Sequence, residues 1–395
     1  SGFFSFMKGF YPDRYAPNVQ TQIDQQRFDM LFKDWWIVSL IVVAGLGLVY
    51  LAMQKKIGVS LLGVGILAIT IVDIWRVDAE INHPVPNTAM ENYLKPDQLT
   101  TFLQRDESVY RIFPLNIPFI GLKLFEQNRW AAQGIESIGG YSPAKPRVYQ
   151  DLLDASDIAN RYIQKYYVVG QQNGQRALQQ IPNDRIDPAL RKVQQNLLNL
   201  LNVKYLISPY PIPEPAIENV GQVNLIVNNQ QLPLGIFENK SVLARAFLVG
   251  NFKKVADPKT ALNALVSPEF DPKKEVVLYE DPEHSPAPDS TASADLVEYG
   301  LHRITVKTNS IQPQILVLSD TWYPASWHVT VDGQDAKMLQ ANHAFRAVSL
   351  PAGEHEVVFY FSSSGFRLGL WLTILSTLAV AGCIVVGMRM AKDKN

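Results

Sequence analysis

The stretch that decides the fold is WIVSLIVVAGLGLVYLAM, from Trp36 to Met53, which contains no charged residue. As a helix it would be about 27 Å long, close to the hydrocarbon thickness of a bilayer, about 30 Å. Two further runs are of the same kind: IGVSLLGVGILAITIVDIW, from Ile57 to Trp75, and LGLWLTILSTLAVAGCIVVGM, from Leu368 to Met388. The sequence therefore predicts three transmembrane helices. Tryptophans flank these runs, as is typical of interfacial positions, at Trp35, Trp36, Trp75 and Trp371.

The charges beside the runs predict the orientation. The connection between the first two runs contains Lys55 and Lys56, and the tail after the third contains Arg389, Lys392 and Lys394. The positive-inside rule places both segments in the cytoplasm. A large region between the second and third runs then lies on the extracytoplasmic side, and the C-terminus is cytoplasmic.

The N-terminal segment suggests that the chain continues a longer one. Residues 1–34 begin with Ser1 and show no signal-peptide arrangement, yet this topology places them outside the cytoplasm. We interpret them as a loop that follows earlier transmembrane helices, so that the chain is the C-terminal piece of a larger polytopic protein.

Composition excludes several classes of function. A net charge of -1 provides no basic field for phosphate backbones, so we expect no nucleic-acid partner. The single cysteine, Cys383, excludes an internal disulfide and a thiolate metal site. The six histidines show no HExxH spacing, and we predict neither a metal nor a cofactor.

The predicted fold class is membrane α, with three transmembrane helices, plus an extracytoplasmic mixed α/β region and a C-terminal antiparallel β-sandwich. PALRKVQQNLLNLLNVKYLIS, residues 188–208, indicates a helix followed by a buried strand, and the last outer segment alternates apolar and polar residues over six strands. The predicted limits are an N-terminal segment at 1–34, a transmembrane hairpin at 35–76, the mixed subdomain at 77–213, a β-rich subdomain and linker at 214–290, the sandwich at 291–365, and the third transmembrane helix with its tail at 366–395.

The segment SDTWYPASWHVTVDG, residues 319–333, concentrates aromatic residues around a proline. Trp327 begins a strand and alternates with Val329, which favours the sandwich core. Trp322 and Tyr323 fall in the preceding loop, where two interpretations stay open. They pack over the end of the sandwich or against lipid headgroups, or they form a platform on which a sugar ring stacks.

At these residues the sequence resembles a known family. LVLSDTWYPASWHVTVDGQDAKMLQANHAFRAVSLPAGEHEVVFYFSSSGFRLG resembles the C-terminal end of the YfhO family of bacterial polytopic membrane proteins, which are placed near the GT-C glycosyltransferases. Further segments occur in the family's order and spacing: RFDMLFKD, YRIFPL, SIGGYSPAKPRVYQDLLD, LLNLLNVKYLIS and ARAFLVGNF. The resemblance covers nearly the whole chain.

The resemblance implies an activity and a location. Family members look like enzymes of the bacterial inner membrane that move a sugar from a polyprenyl-linked donor onto an extracytoplasmic acceptor such as a cell-wall polymer. The catalytic carboxylate of GT-C proteins typically lies in the first extracytoplasmic loop, near the N-terminus. No catalytic residue can therefore be assigned here by motif, and we expect the chain not to be catalytic by itself.

The residues offer several candidate contacts. Four residues are candidates for binding a glycan: Trp322, Tyr323, Tyr141 and Arg147, of which Arg147 could contact either a phosphate or the acceptor. Asp13 and Arg14 are candidates for contacting the pyrophosphate of the donor, and a salt-bridged loop is the alternative. Asp73 is the one acid within the predicted spans and is therefore a candidate functional carboxylate, and solvation at the level of the headgroups is the alternative.

Small residues on the third predicted helix favour contact with another helix. Their four-residue spacing places Gly365, Gly369, Ala379, Cys383 and Gly387 in or beside that helix, and a lipid-facing surface is the alternative. The expected partners are membrane lipid, other transmembrane helices, and a glycan polymer or polyprenyl-linked sugar. A second function remains open: a non-catalytic accessory or scaffold subunit, anchored in the membrane, of a larger complex.

Overall fold

The computed structural model describes residues 17–81, 95–117, 122–125, 127–172, 175–227 and 230–392. The chain forms two compact units, Ser1–Asn92 and Tyr93–Asn395. The first contains a pair of helices, and the second contains all of the described strands together with the last helix.

The first unit is a helical hairpin of α1 (Pro17–Met53) and α2 (Val59–Ile81). Its turn is closed by Lys55, whose backbone φ is 57°, and by the Lys56 amide, which donates to the Leu51 carbonyl at 2.9 Å. At the other end, Arg76 Nη1 lies 2.8 Å from Asp34 Oδ1 and joins the two helices. Since α1 begins at Pro17, it starts well before residue 35, where the transmembrane hairpin was predicted to begin.

Three helices of the described chain are long and apolar enough to cross a membrane: Phe28–Met53, Val59–Ala79 and Ser364–Gly382. Their apolar side chains are exposed, as is expected of surfaces that contact lipid. The predicted combination of three membrane helices, a mixed α/β region and C-terminal antiparallel strands is confirmed.

The second unit begins with a mixed α/β region. Its helices are short except for one: α3 (Gln98–Leu103), α4 (Arg129–Ala132), α5 (Arg147–Ser156), α6 (Ile158–Arg161) and α7 (Pro188–Leu200). Its strands are β1 (Arg111–Pro114), β2 (Asn116–Ile117), β3 (Leu122–Lys123), β4 (Tyr167–Gln172), β5 (Gln175–Gln180), β6 (Val203–Ser208), β7 (Ile217–Val227) and β8 (Gln230–Asn239).

One sheet organises this region, with strand order β1-β6-β8-β7. The strands β1 and β6 are parallel, and α7 lies in the connection between them, directly before β6. Apolar residues recur every three to four positions from Val148 to Tyr162, a pattern typical of one continuous helix, but the helix breaks at Asp157, which adopts a left-handed φ of 44°. The two parts, α5 and α6, still bury Leu152 and Ile158 against the same core.

The remaining elements are α8 (Pro258–Leu265), capped by Asp257, and eleven strands. The strands are β9 (Ala246–Val249), β10 (Asn251–Lys254), β11 (Glu275–Leu278), β12 (Ser293–Tyr299), β13 (Arg303–Ser310), β14 (Gln314–Thr321), β15 (Trp327–Val331), β16 (Gln334–Ala336), β17 (Met338–Ala341), β18 (Phe345–Leu350) and β19 (Gly353–Phe361).

These strands form two facing sheets, of order β12-β13-β19-β15-β16 and β10-β11-β17-β18-β14-β9. Between them lies a small core that includes Ile304, Leu316, Val348 and Phe359. All six residues of β18 are buried, because alternate side chains such as Ala347 pack on the opposite face, in the core of the mixed region. The six-stranded sheet is therefore shared by the sandwich and the mixed region.

The shared sheet draws strands from both sides of residue 290: β9, β10 and β11 precede it, and β14, β17 and β18 follow it. The connection Asp281–Asp295 is rich in proline, serine and alanine, which is typical of an exposed, mobile segment, but it is tied to this sheet. Gln314 Nε2 donates to the Ala287 carbonyl at 2.6 Å, and a Cβ on Gly250 would lie 2.4 Å from that oxygen. The predicted subdomain limits remain predictions.

The last helix, α9 (Ser364–Lys392), follows β19 after only two residues. The Arg367 amide donates to the Ser363 carbonyl, so the helical turn is already formed at this junction. The sandwich is thus joined to a membrane-spanning helix without a flexible linker.

Candidate functional site

A cluster of buried charges lies where the mixed region meets the shared sheet. We define the arginine cluster by five residues: Arg111 on β1, Glu136 in the loop after α4, Arg245 just before β9, Asp320 on β14 and Arg346 on β18. The three arginines are 8%, 1% and 4% exposed, which is rare for charged side chains without partners.

The arginines converge on Asp320. Its Oδ1 lies 2.9 Å from Arg111 Nη2 and 3.0 Å from Arg245 Nη1. Its Oδ2 lies 3.3 Å from Arg346 Nη2. In the second acid, Glu136, the Oε2 atom lies 2.8 Å from Arg245 Nη1 and 3.4 Å from Arg111 Nε. Each acid is thus shared by at least two guanidinium groups.

Neutral groups complete the cluster. Arg111 Nη1 donates to the Ser319 carbonyl at 2.7 Å, and Arg245 Nε donates to Asn202 Oδ1 at 2.9 Å. Tyr299 donates its hydroxyl hydrogen to Asp320 Oδ1 at 3.3 Å. The guanidinium carbon of Arg346 lies 4.0 Å from the ring centroid of Trp327, a cation–π distance.

The neighbouring arginines favour the ionised form of Asp320. Burial alone would raise the pKa of Asp320, but Arg111, Arg245 and Arg346 outweigh it and hold that pKa below its usual range. Burial lowers the pKa of Arg346, and Asp320 opposes this effect. Three positive charges face two negative ones, so the cluster carries one excess positive charge.

A cleft of about 380 Å³ lies beside Glu136. The side chain of Glu136 is 40% exposed, so its carboxylate belongs both to the arginine cluster and to the cleft wall. The rest of the lining comes from α4 and the segments around it: Gln127, Asn128, Trp130, Ala131, Gly134, Ile135, Ser137, Gly139 and Gly140.

The Gly-Gly pair shapes the cleft wall. A Cβ on Gly139 would lie 2.2 Å from the Phe125 carbonyl oxygen, so only glycine permits this approach. Gly140 has a φ of 105°, which disfavours other residues. Two hydrogen bonds hold the backbone of the next residue, Tyr141. Its amide donates to Asn128 Oδ1 at 2.7 Å, and its carbonyl accepts from Asn128 Nδ2 at 2.8 Å.

The four glycan-binding candidates do not form one cluster. Tyr141 is 68% exposed and follows Gly140, which lines the cleft. Arg147 begins α5 with its side chain 92% exposed, and its Nε lies 3.7 Å from Asp151 Oδ2. Trp322 is half-buried and Tyr323 is exposed, and both lie in the loop after β14. Their roles remain predictions.

Asp151 also contacts a buried histidine. Its Oδ2 lies 3.5 Å from Nε2 of His343, and Nδ1 of that histidine is bonded to the hydroxyl of Tyr279 at 2.6 Å. Burial lowers the pKa of His343, although Asp151 opposes the shift. No group of three metal-ligating side chains occurs in the part of the chain that the structure describes.

The other predicted residues are placed individually. On α9, a Cβ on Gly365 or Gly369 would meet nothing within 4 Å, and Ala379 is exposed. The surroundings of Cys383 and Gly387 on α9 are not described, and Asp13 and Arg14 lie outside the described residues. Asp73 lies 3.8 Å from Arg76, one turn along α2. A packing role for the small residues remains a prediction.

Sequence reasoning missed the arginine cluster. The signal was present, since Arg111, Arg245 and Arg346 each interrupt an apolar strand segment, in YRIFPL, ARAFLVG and HAFRAVSL. A charged residue in such a segment needs a buried partner. The sequence did not show which acid would meet which arginine.

The comparisons with known proteins concern the C-terminal part of the chain. A family model described as "Bacterial membrane protein YfhO" matches residues 290–373. A search of curated proteins gave no match, and neither did a search of solved structures. The matched segment covers β12 to β19 and the start of α9. The chain therefore carries a YfhO domain at residues 290–373, as expected of the C-terminal part of a YfhO family membrane protein.

Proposed function

We propose that this chain is the membrane and extracytoplasmic portion of a YfhO-like protein that acts in cell-envelope glycan modification, and that its outer region binds the acceptor glycan. Sugar would come from a polyprenyl-linked donor at the bacterial inner membrane. We assign no catalytic residue to the described part of the chain. Its role in the reaction is to hold the acceptor.

The observation that carries this proposal is the composition of the cleft beside Glu136. Gln127 and Asn128 offer amide donors and acceptors, Ser137 offers a hydroxyl, and Glu136 offers a carboxylate. These groups hydrogen-bond to sugar hydroxyls. A binding site of a few placed polar groups within apolar walls is the usual form for a small ligand.

Two features make the cleft suitable for a neutral polymer. Arg111 and Arg245 fix the carboxylate of Glu136 from behind, so it is oriented before the ligand arrives. The ring of Tyr141 is exposed next to Gly140, where it can stack on one face of a sugar. The two hydrogen bonds to Asn128 hold the backbone that carries this ring.

The test is a binding measurement with the full chain in detergent micelles and a panel of soluble bacterial cell-wall polymers. Tyr141→Ala should weaken binding about tenfold, because an aromatic stacking contact contributes about 1.4 kcal/mol. The matched control is Tyr323→Ala, which removes another exposed tyrosine and should leave the affinity unchanged.

Three outcomes would contradict the proposal. Loss of binding with Tyr323→Ala alone would move the site to the end of the sandwich. Equal affinities of the wild type and Tyr141→Ala for the polymer would exclude stacking of Tyr141 on the sugar. Absence of binding to any polymer, with stoichiometric co-purification of unrelated membrane proteins, would favour the accessory or scaffold function.

A further inference from the structure

One end of the five-stranded sheet gathers three chain segments. Because β19 runs antiparallel to both β13 and β15, its last residues lie beside the turn that precedes β13 and the loop that precedes β15. The Phe361 amide donates to the His302 carbonyl at 2.9 Å, and the Ser362 amide donates to the Ser326 carbonyl at 2.7 Å. The turn 300–302 and the loop 322–326 are thus fixed to the end of β19.

This end of the sheet adjoins a membrane-spanning helix. Only Ser362 and Ser363 separate the end of β19 from the start of α9, and the candidate membrane span begins at Ser364. Two residues of extended chain cover at most about 7 Å. The turn and the loop, which bond to residues 361 and 362, therefore lie close to the start of the candidate membrane span.

The surface of this end is apolar and aromatic at its tips. Leu301, at the tip of the turn, is 89% exposed, and Tyr323, in the loop, is 51% exposed. Phe366 on the first turn of α9 is also exposed. The cations Arg303 and Arg367 flank these residues, and Arg303 is already paired with Glu298 at 3.2 Å.

We propose that this end of the sandwich rests on the lipid bilayer, with Leu301 and Tyr323 inserted at the level of the headgroups. Aromatic and apolar tips beside arginines are suited to that layer, where one part of the environment is apolar and the other is hydrated. The turn and the loop then act with α9 to fix the orientation of the sandwich to the membrane.

Lipid is the occupant because the membrane helix is continuous with the surface. A protein or glycan partner would have to bind next to a candidate membrane span that begins only three residues after Phe361. This proposal uses Trp322 and Tyr323 for lipid rather than sugar, which was one of the two interpretations that the sequence left open. It does not depend on glycan binding in the cleft.

The experiment uses the full chain with Cys383→Ala, reconstituted in nanodiscs of zwitterionic and anionic phospholipid. Leu301→Cys carries an environment-sensitive fluorophore, and quenching is measured with lipids spin-labelled near the headgroup and with aqueous iodide. The matched control is Ile311→Cys, a 69% exposed apolar residue in the turn at the opposite end of β13. Because both side chains are exposed, neither change removes a core contact, and near-UV circular dichroism checks the fold.

We expect the spin-labelled lipids to quench the label at 301 several-fold more than the label at 311, and iodide to show the opposite order. Equal quenching at the two positions by both reagents would overturn the proposal. Protection of position 301 from iodide without lipid quenching would also overturn it, since it would indicate a protein or glycan partner. Tyr323→Cys should repeat the result obtained at 301.

Discussion

Removing the charge of Asp320 tests whether the arginine cluster holds the mixed region to the shared sheet. The substitution Asp320→Asn keeps the shape of the side chain and one acceptor oxygen. It leaves three buried arginines with Glu136 as the only acid of the cluster, and that acid is already shared by two of them. Arg346 loses its contact with a carboxylate, which is 3.3 Å long in the wild type.

The magnitude follows from burial. Breaking a buried ion pair by removing one partner costs about 3–5 kcal/mol, because the remaining charge stays desolvated. Asp320 is 7% exposed and contacts three guanidinium groups, so we expect a loss in this range. Total stabilities of about 5–15 kcal/mol are typical of folded domains, so the variant should unfold at a much lower denaturant concentration.

The assay is equilibrium urea denaturation of the full chain in micelles, followed by near-UV circular dichroism. The matched control, Asp335→Asn, changes an exposed aspartate on β16 and should alter the free energy of unfolding by no more than about 0.5 kcal/mol. Adding Arg346→Met to Asp320→Asn removes an unpaired buried charge. The double variant should therefore be more stable than the sum of the single changes predicts, by about 1–3 kcal/mol.

The pH dependence gives an independent check with a definite sign. Because the folded pKa of Asp320 is below its unfolded value of about 3.9, its contribution is fully present well above pH 4 and is lost as the pH falls through the folded pKa. Asp320→Asn should remove that part of the acid sensitivity. A loss below about 1 kcal/mol at neutral pH, or strictly additive effects in the double variant, would refute the reasoning.

Two further predictions concern the mixed region. Burial lowers the pKa of Lys165 to about 8, although Lys165 contacts Glu214 at 3.0 Å. Between that pH and about 10.4, the pKa of an unfolded lysine, the unfolded chain binds more protons than the folded one, so the free energy of unfolding should rise with pH. Lys165→Met should abolish this rise, which is measured by urea titrations at several pH values. Gly139→Ala should cost about 1–3 kcal/mol in the same assay, because its Cβ would overlap the Phe125 carbonyl, whereas Gly365→Ala on α9 should cost nothing, and equal effects of the two changes would contradict this account.

The sequence predicted the parts of the fold that depend on local pattern. The membrane helices follow from apolar runs of sufficient length with at most one charged residue, which few other structures accommodate. Helix α7 and strand β6 follow from a change of apolar period. Such signals need no knowledge of distant contacts. The break of the helix at Asp157 could not be predicted from the apolar spacing, which continues through this residue.

The shared sheet depends on contacts that the pattern does not specify. An alternating strand predicts one buried face, but β18 is buried on both faces because the mixed region covers the second one. An alternating pattern also does not show which strand pairs with which. The residues of β9 alone therefore do not predict that it pairs with β14. The limits predicted for the β-rich subdomain, 214–290, remain a prediction.

The arginine cluster links the matched domain to distant segments of the chain. Five segments supply a member or a ligand of the cluster: YRIFPL supplies Arg111, LLNLLNVKYLIS supplies Asn202, ARAFLVGNF supplies Arg245, LVLSDTWYP supplies Asp320, and HAFRAVSL supplies Arg346. These segments are far apart in the chain, and the matched domain at 290–373 contains only two of these five residues. Buried charges tolerate little independent change, because any one of them without its partner is costly. The matched domain contains Asp320 and Arg346 but neither Arg111 nor Arg245, so we expect it to need the segments that carry these two arginines if Asp320 is to keep all three of its guanidinium contacts.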